Sequence, residues 1–306
     1  MKLLRSIRIT VIAFLLSGPR LLAQQDPLYS QYMFNTLAFN PGYAGSADVF
    51  TVMALSRHQW VGFAGAPATQ TLTLHSPLPG RTLALGGTVM HDVAGPTKQT
   101  GAHVDVAYRL RTGADTRLAL GLKGGVNFFQ ADIASLSTVE SDPTNANISG
   151  KLLPNFGFGA FWSSPRYYAG LSIPKLLENK LGDDGNVTTS QEFRHYFLIG
   201  GYVFDIDRDL KFKPSFMLRA VQGAPLSLDL NANFLLREKI WFGGMYRLGN
   251  GIGLMAQYRF NEQLRAGYAF DLTTTRIAAY NAGTHEIMVS YDLSFTRGNA
   301  ISPRYF

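Results

Sequence analysis

Few residue groupings in this sequence have the types and the spacing that catalysis or metal binding would need. His285-Glu286 resembles part of a metalloprotease motif, but no second histidine follows at the required spacing, and adjacent strand positions point to opposite faces. His91-Asp92 stands beside Gly95-Pro96, where an aspartate is expected to cap a turn. The six histidines show no metal-ligand spacing, and there is no cysteine to hold a metal or act as a nucleophile. We therefore expect no catalytic residues, no enzyme activity, no metal and no cofactor.

Composition points to a protein that places much of its surface in lipid. Hydrophobic residues make up 46% of the chain and charged residues only 16%, against roughly 25% charged in soluble domains. Beyond the amino-terminal leader no run approaches the ~20 apolar residues of a membrane helix. A β-barrel fits such a chain, since its lipid face occupies only alternate positions. Four of the 28 basic residues lie in the leader, leaving 24 scattered ones against 21 acidic residues, so no nucleic-acid partner is predicted.

The amino terminus has the layout of a cleaved secretory signal. Lys2, Arg5 and Arg8 precede an apolar run from Ile9 to Leu16, and Ala23 suits the cleavage point. The apolar run is too short to span a bilayer comfortably, which favours cleavage over a single anchoring helix. The predicted organisation is a signal peptide at 1–23, a periplasmic amino-terminal segment at 24–48, a transmembrane β-barrel at 49–296 and a periplasmic carboxy-terminal tail at 297–306.

Strict alternation of apolar and polar residues is the main structural signal. From Leu226 to Phe234 the even positions are apolar, whereas the odd positions include Asp229, Asn231 and Asn233. One face of such a strand is apolar and the other is polar. Similar runs predict an all-β fold, an antiparallel outer-membrane β-barrel of about fourteen strands, roughly ten residues each, the length that crosses a bilayer at a tilt. The strands are predicted at 49–57, 68–76, 82–91, 99–111, 115–129, 152–163, 166–173, 193–205, 210–220, 226–236, 239–248, 251–260, 263–274 and 284–296.

The links between these strands alternate in length. Short turns such as Pro77 to Gly80 and Asn261-Glu262 alternate with mostly longer links such as His58 to Pro67, His91 to Lys98 and Pro174 to Glu192. Outer-membrane barrels combine short periplasmic turns with longer outer loops. A soluble β-sandwich also alternates along its strands, but those usually run about five or six residues. The barrel is the favoured architecture.

The inward positions of the predicted strands carry charges of both signs. These residues are expected to pair with one another in a partly filled interior, and they are Arg109, Asp229, Arg247, Arg259, Arg265, Asp271, Glu286 and Asp292. Mixed charge does not favour an ion-selective porin. A passive outer-membrane channel for small solutes stays open as an alternative function, whereas an outer-membrane hydrolase lacks a nucleophile and base.

A series of short motifs runs along the whole mature chain. They are Gln25-Asp26-Pro27, Ser30-Gln31-Tyr32-Met33-Phe34-Asn35, Asn40-Pro41-Gly42-Tyr43-Ala44-Gly45-Ser46, Arg57-His58-Gln59-Trp60-Val61-Gly62, Tyr168-Ala169-Gly170-Leu171-Ser172-Ile173-Pro174, Lys213-Pro214-Ser215, Gly267-Tyr268-Ala269-Phe270-Asp271 and Ser302-Pro303-Arg304-Tyr305-Phe306. In these motifs the chain resembles the PorP/SprF family of type IX secretion membrane proteins, found in Bacteroidota. The resemblance implies an outer-membrane component of the secretion or gliding machinery. Such a protein would bind or anchor secreted cargo, often an adhesin, that carries a type B C-terminal domain.

Two groups of residues are candidate partner contacts. Tryptophan and arginine are favoured interface anchors, and the candidate cargo contacts are Arg57, Trp60, Gly62, Gly65, Ala66 and Pro67. The candidate contacts to periplasmic secretion or motor components are Tyr29, Tyr32, Phe34, Tyr43, Arg304, Tyr305 and Phe306. Three alternatives stay open: the loop folds back into the lumen, the amino-terminal segment plugs the barrel, or the tail docks on it. The remaining expected partner is outer-membrane lipid.

Overall fold

The computed structural model describes residues 27–133, 147–181 and 191–293. The predicted signal peptide and the candidate contacts Arg304, Tyr305 and Phe306 lie outside these ranges. Within them, no helix is long and apolar enough to cross a membrane.

Fourteen antiparallel strands form a closed barrel, as predicted. They are β1 (Phe50–His58), β2 (Ala68–Pro77), β3 (Leu83–Ala94), β4 (Thr97–Arg111), β5 (Arg117–Ala131), β6 (Ile148–Ser163), β7 (Tyr167–Ile173), β8 (His195–Tyr202), β9 (Leu210–Val221), β10 (Ser227–Leu236), β11 (Ile240–Arg247), β12 (Gly251–Arg259), β13 (Leu264–Thr273) and β14 (Thr284–Leu293). Beyond Val203, β8 continues as Phe204–Asp205, which pairs with the same neighbour, β9. Short 3-10 helices lie at Thr36–Ala38, Pro41–Tyr43 and Arg276–Tyr280. The first strand pairs with the last, Phe50 opposite Leu293 and His58 opposite His285, which closes the sheet.

Alternate side chains along the strands form an apolar outer surface. On β10, Leu230 faces outward, while Asp229 and Asn231 are buried inside. Leu122 on β5 and Leu254 on β12 are 65% and 70% exposed. So much exposed apolar surface is suited to contact with lipid hydrocarbon, and the backbone groups beneath it are satisfied by the closed ladder. The barrel is therefore built for the outer membrane.

The two ends of the barrel differ in the length of their links. At one end tight turns join β2 to β3, β4 to β5, and β10 to β11. At the other end the links include 132–147 and 174–194. Short turns mark the periplasmic end of outer-membrane barrels and long loops the external end, so we call these the inner and outer ends. The chain enters β1 and leaves β14 at the inner end.

One predicted outer loop is instead a strand hairpin. The predicted link from His91 to Lys98 lies almost wholly in strands, because β3 runs to Ala94 and β4 begins at Thr97. Only Gly95-Pro96 forms the turn, and Gly95 has a φ of 57° that glycine adopts without strain. Polar side chains stand on both strands of this hairpin, as in the His91–Thr100 hydrogen bond of 2.8 Å. A strand that extends beyond the lipid needs no alternation of apolar and polar residues. The sequence pattern therefore underestimated the length of β3 and β4 at this end.

The described part of the amino-terminal segment lies inside the barrel, and not in the periplasm as predicted for 24–48. Residues 27–48, which we call the plug segment, descend through the lumen from the outer half to the inner end. Nearly every residue from Tyr29 to Ser46 is buried. The physical reason is composition: the segment is rich in aromatic residues and carries no charged side chain before Asp48, so enclosure removes its apolar surface from water.

A charge on the lipid face should destabilise the barrel. Replacing Leu122 by Arg would place a cation near mid-strand on the outer surface, at a cost of about 2–4 kcal/mol at the bilayer midplane. The measurement is the urea midpoint of the folded barrel in lipid vesicles, read by its heat-modifiable gel mobility. Leu122→Met is the matched control and should unfold like the wild type. Equal midpoints for the two variants would show that this face does not contact lipid.

Candidate functional site

The plug segment is bonded to strands on opposite sides of the barrel wall. Hydrogen bonds join Tyr29 to Thr71, Asn35 to Thr73, Tyr32 to Asn231, Asn40 to the carbonyl of Ala160, and Gly45 to His75. These partners lie on β2, β6 and β10. The segment therefore spans the interior and is held across it.

A buried ion cluster fixes the start of the plug segment near the outer end. Arg57, only 2% exposed, lies 3.0 Å from a carboxylate oxygen of Asp271 and 3.0 Å from one of Glu286. The backbone amides of Ser30 and Gln31 donate to the two carboxylate oxygens of Glu286 at 2.8 and 2.9 Å. The Ser30 hydroxyl also donates to Asp271 and accepts from Arg57. We call these five residues the outer ion cluster.

Aromatic packing holds the middle of the plug segment. Phe34 meets Trp241 edge-to-face at 5.7 Å between ring centroids. The ammonium of Lys213, wholly buried, lies 4.7 Å from the Phe34 ring and 5.2 Å from the Trp241 ring. Nearer the inner end, Tyr43 packs on Phe161 with centroids 5.2 Å apart. A cation over ring faces is stabilised most where water is excluded. The Phe34 ring of the plug and the Trp241 ring of the wall therefore both stabilise the Lys213 ammonium.

Glycines in the wall let the plug backbone approach closely. A Cβ on Gly121 would lie 2.3 Å from the Gly42 nitrogen and from the Pro41 carbonyl carbon, and one on Gly159 would lie 2.2 Å from the Asn40 side-chain oxygen. Atoms cannot approach so closely without displacement. The turn at Asn40 to Tyr43 therefore requires glycine in β5 and β6.

At the inner end the plug segment finishes on two arginines. Asp48 accepts from Arg109 at 2.5 Å and from Arg117 at 2.7 and 2.8 Å. The pairing expected of the other lumen charges is also present: Arg247 forks onto Asp229 at 2.9–3.0 Å, and Arg265 lies 3.3 Å from Asp292.

The plug and the wall line a cavity of about 70 Å³ in the outer half of the lumen. Its apolar lining includes Leu28, Phe39, Met90, Phe197 and Met217. Among the described residues, no group of three or more His, Asp or Glu could hold a metal ion.

The candidate cargo contacts divide between the lumen and the surface. Arg57 is buried in the outer ion cluster, because it occupies the lumen-facing register of β1 together with Met53 and Leu55. Trp60 is half-buried, and Gly62 and Gly65 are exposed. Ala66 and Pro67, which complete this candidate group, are half-buried.

The candidate periplasmic contacts that the structure describes lie in the lumen. Tyr29, Tyr32, Phe34 and Tyr43 are all buried, with exposures from 1% to 7%. Their rings face barrel residues, so a periplasmic partner does not reach them in this structure. This is the arrangement that the plugging alternative describes.

Two outer loops join into one surface beside these residues. Val61 donates to the carbonyl of Gly283 at 2.9 Å, and Ala282 donates back to the carbonyl of Val61 at 2.7 Å. Val61 and Phe63 are 39% and 45% exposed, and Tyr280 of the second loop is 72% exposed. We call Trp60, Val61, Phe63 and Tyr280 the outer shelf. The sequence analysis did not select Val61, Phe63 or Tyr280. Val61 and Phe63 nevertheless lie in the same loop as the candidate cargo contacts Trp60 and Gly65.

A closed, lipid-facing barrel filled by its own amino-terminal segment can be set beside known families. The family model for the type IX secretion system membrane protein PorP/SprF matches residues 21–291. The chain belongs to the PorP/SprF family. The match covers the plug segment as well as the strands of the barrel, and the family and the fold are of a non-enzymatic kind. This PorP/SprF protein is thus an outer-membrane component of type IX secretion.

The chain is similar, at low identity, to several solved outer-membrane proteins. The Acinetobacter baumannii outer membrane protein Omp33 is 12% identical, with 80% of this chain and 98% of that chain covered and a TM-score of 0.47. A Pseudomonas aeruginosa FadL homologue is 11% identical over 80% and 89%, with a TM-score of 0.42. The KdgM porin is 9% identical over 80% and 99%, with a TM-score of 0.38. No curated protein matches the chain.

Removing the cation of the outer ion cluster should loosen the plug segment. Arg57→Ala leaves Glu286, fully buried, without its cationic partner, and breaking a buried pair in this way costs about 3–5 kcal/mol. We expect a lower urea midpoint and faster chymotryptic cleavage of the displaced plug segment, which is rich in tyrosine and phenylalanine. Arg57→Lys keeps the charge but loses the fork to two carboxylates, so it should fall between Arg57→Ala and wild type. Wild-type stability of Arg57→Ala would contradict the anchoring role of the cluster.

Displacing the plug from the wall should open a path for ions. Gly121→Val puts side-chain atoms where the Pro41-Gly42 backbone lies, so the turn must leave its place on β5. We expect single-channel conductance in planar bilayers above that of the wild type. Gly124→Val is the matched control on the same strand, since its Cβ would meet only the Phe156 ring at 3.8 Å. Equal conductance of the two variants would mean that the plug does not block the lumen.

Proposed function

We propose that this PorP/SprF protein anchors secreted cargo bearing a type B C-terminal domain at the cell surface, with the outer shelf as the contact. Membership of a type IX secretion family supports a role in handling secreted proteins. The observation that carries the choice of surface is the exposure of Val61, Phe63 and Tyr280 on two loops beyond the lipid-spanning strands. Exposed apolar residues on hydrogen-bonded loops are a common feature of protein contact sites.

The backbone bonds between the two loops favour a preformed shelf. Besides the pair of bonds between Val61 and the second loop, the amide of Trp60 donates to the Thr284 hydroxyl at 3.2 Å, and Gly95 donates to the carbonyl of Gly65 at 2.9 Å. Three outer links are thereby joined. A contact surface held in this way loses less conformational entropy on binding than free loops do.

The filled lumen counts against the alternative of a passive channel for small solutes. A channel needs a continuous aqueous path, whereas the plug segment is bonded to strands on opposite sides of the interior. The surfaces left for function are then the two ends of the barrel. We assign the outer end to the cargo, an adhesin in gliding cells, and the inner end to the periplasmic secretion or motor components.

Polar substitution on the shelf should release the cargo. Val61→Ser and Phe63→Ser together remove the apolar side chains from one loop and leave its backbone bonds possible. A contact that behaves as an interface hot spot is worth about 2 kcal/mol, or roughly a thirtyfold loss of affinity. The measurement is co-purification of a type IX cargo with the tagged barrel from outer membranes, quantified by mass spectrometry.

Two further variants test whether the contact is specific to the shelf. Trp60→Ala should also lower cargo recovery while the barrel still assembles. Tyr246→Ser removes an exposed aromatic from the lipid face of β11 and should leave recovery unchanged among correctly folded molecules. Wild-type recovery by the shelf variants would remove this surface as the cargo contact.

A further inference from the structure

Four arginines surround a cavity at the inner end of the barrel. The cavity measures about 310 Å³, and Arg81, Arg109, Arg111 and Arg117 line it. We call these residues the arginine mouth. Arg109 and Arg111 occupy alternate positions of β4, and Arg117 faces Arg111 across the β4–β5 pair. Like charges directly opposite each other in an antiparallel pair are destabilising, so this grouping needs an anion.

The plug segment supplies only part of that counter-charge. Asp48 is ion-paired with Arg109 and Arg117. One carboxylate faces four guanidinium groups, and Asp115 of the adjoining turn makes no ion pair among the described residues. Arg81 and Arg111 are exposed and line the cavity, so their guanidinium groups can donate to a further acceptor there.

The direction of the side chains decides between a lipid and a protein as the source of that acceptor. The lipid-facing positions of β4 near this end are Tyr108 and Leu110, both exposed on the outer surface. Arg109 and Arg111 have the opposite register, toward the lumen. A lipid headgroup lies around the barrel, whereas the arginine mouth opens below the plug into the periplasm.

We infer that the arginine mouth binds carboxylate side chains of an acidic segment in a periplasmic protein partner. Guanidinium groups form paired hydrogen bonds with carboxylates, and a single-sign rim attracts an oppositely charged segment from solution. Asp48 occupies part of the mouth as an internal competitor. This inference deepens the proposed contact with the periplasmic machinery and rests on it, but it does not depend on the cargo.

The test is the binding of a fluorescein-labelled hexaglutamate peptide to the full-length barrel in detergent, measured by fluorescence anisotropy. Wild type should bind the peptide, and salt should weaken the complex by screening. Arg111→Ala should lower the affinity about tenfold, the loss expected for one charged contact. Asp48→Asn should raise the affinity several-fold, because it removes the internal competitor and keeps the side-chain shape.

Matched controls separate the mouth from general positive charge. Arg237→Ala removes an exposed arginine from another inner-end turn and should leave the affinity unchanged, and a hexalysine peptide should not bind. Equal affinities of Arg111→Ala and wild type, or weaker binding by Asp48→Asn in folded protein, would overturn the inference. So would displacement of the peptide by inorganic phosphate at equal concentration, which would indicate a small-anion site, or binding only in anionic lipid vesicles, which would indicate a headgroup site.

The outcome is distinguishable from failure of the proposed function. Loss of peptide affinity in Arg111→Ala with cargo recovery intact supports the inference by itself. Cargo recovery that is unaffected by the shelf variants removes the shelf contact and leaves the peptide measurement standing.

Discussion

The structure depends on the pairing of charges inside a barrel whose outer face must stay apolar. Arg57 and Glu286 are both buried and directly opposite each other on β1 and β14, the seam where the sheet closes. The ion pair alone does not use all the hydrogen-bond acceptor sites of the Glu286 carboxylate. The backbone amides of Ser30 and Gln31 donate to its two oxygens. The plug segment is thus bound where the barrel closes. Without these two amides the buried carboxylate of Glu286 would be less well satisfied, at a cost in stability, so the plug segment stabilises the seam of the barrel.

One continuous segment connects the outer and inner ends. Near its start Ser30 is bonded within the outer ion cluster, and at its end Asp48 pairs with two residues of the arginine mouth. Between them the backbone is fitted against Gly121 and Gly159 with no room for a side chain. A segment held at both ends and pressed to the wall between them has few ways to shift without breaking several contacts at once. The barrel is therefore better suited to hold surfaces in fixed positions than to conduct.

The sequence alone predicted the barrel and the pairing of the lumen charges, but not the position of the plug segment. Apolar and polar residues alternate along the strands, as Leu228 and Leu230 alternate with Asp229 and Asn231. The reason is that a strand in contact with lipid needs an apolar side chain at every second position. The position of the plug segment is not encoded by a period, since aromatic residues such as Tyr32 and Phe34 would suit any apolar partner. Arg57 is a candidate cargo contact in the sequence analysis because of its neighbour Trp60, although its register with Met53 and Leu55 puts it on the lumen face of β1.

The filled lumen also changes how the family membership should be interpreted physically. A barrel of this size could carry solutes. Here, however, aromatic contacts such as Phe34 with Trp241 and ion pairs such as Arg247 with Asp229 occupy the lumen. The two ends expose other groups: apolar side chains at Val61 and Phe63 above the lipid, and below it the arginine mouth, whose four guanidinium groups face one carboxylate, Asp48. These surfaces differ in chemistry, which supports the proposal of a separate partner at each end. Because the plug segment fills the interior, the two ends of the barrel, and not its lumen, are the surfaces open to other proteins.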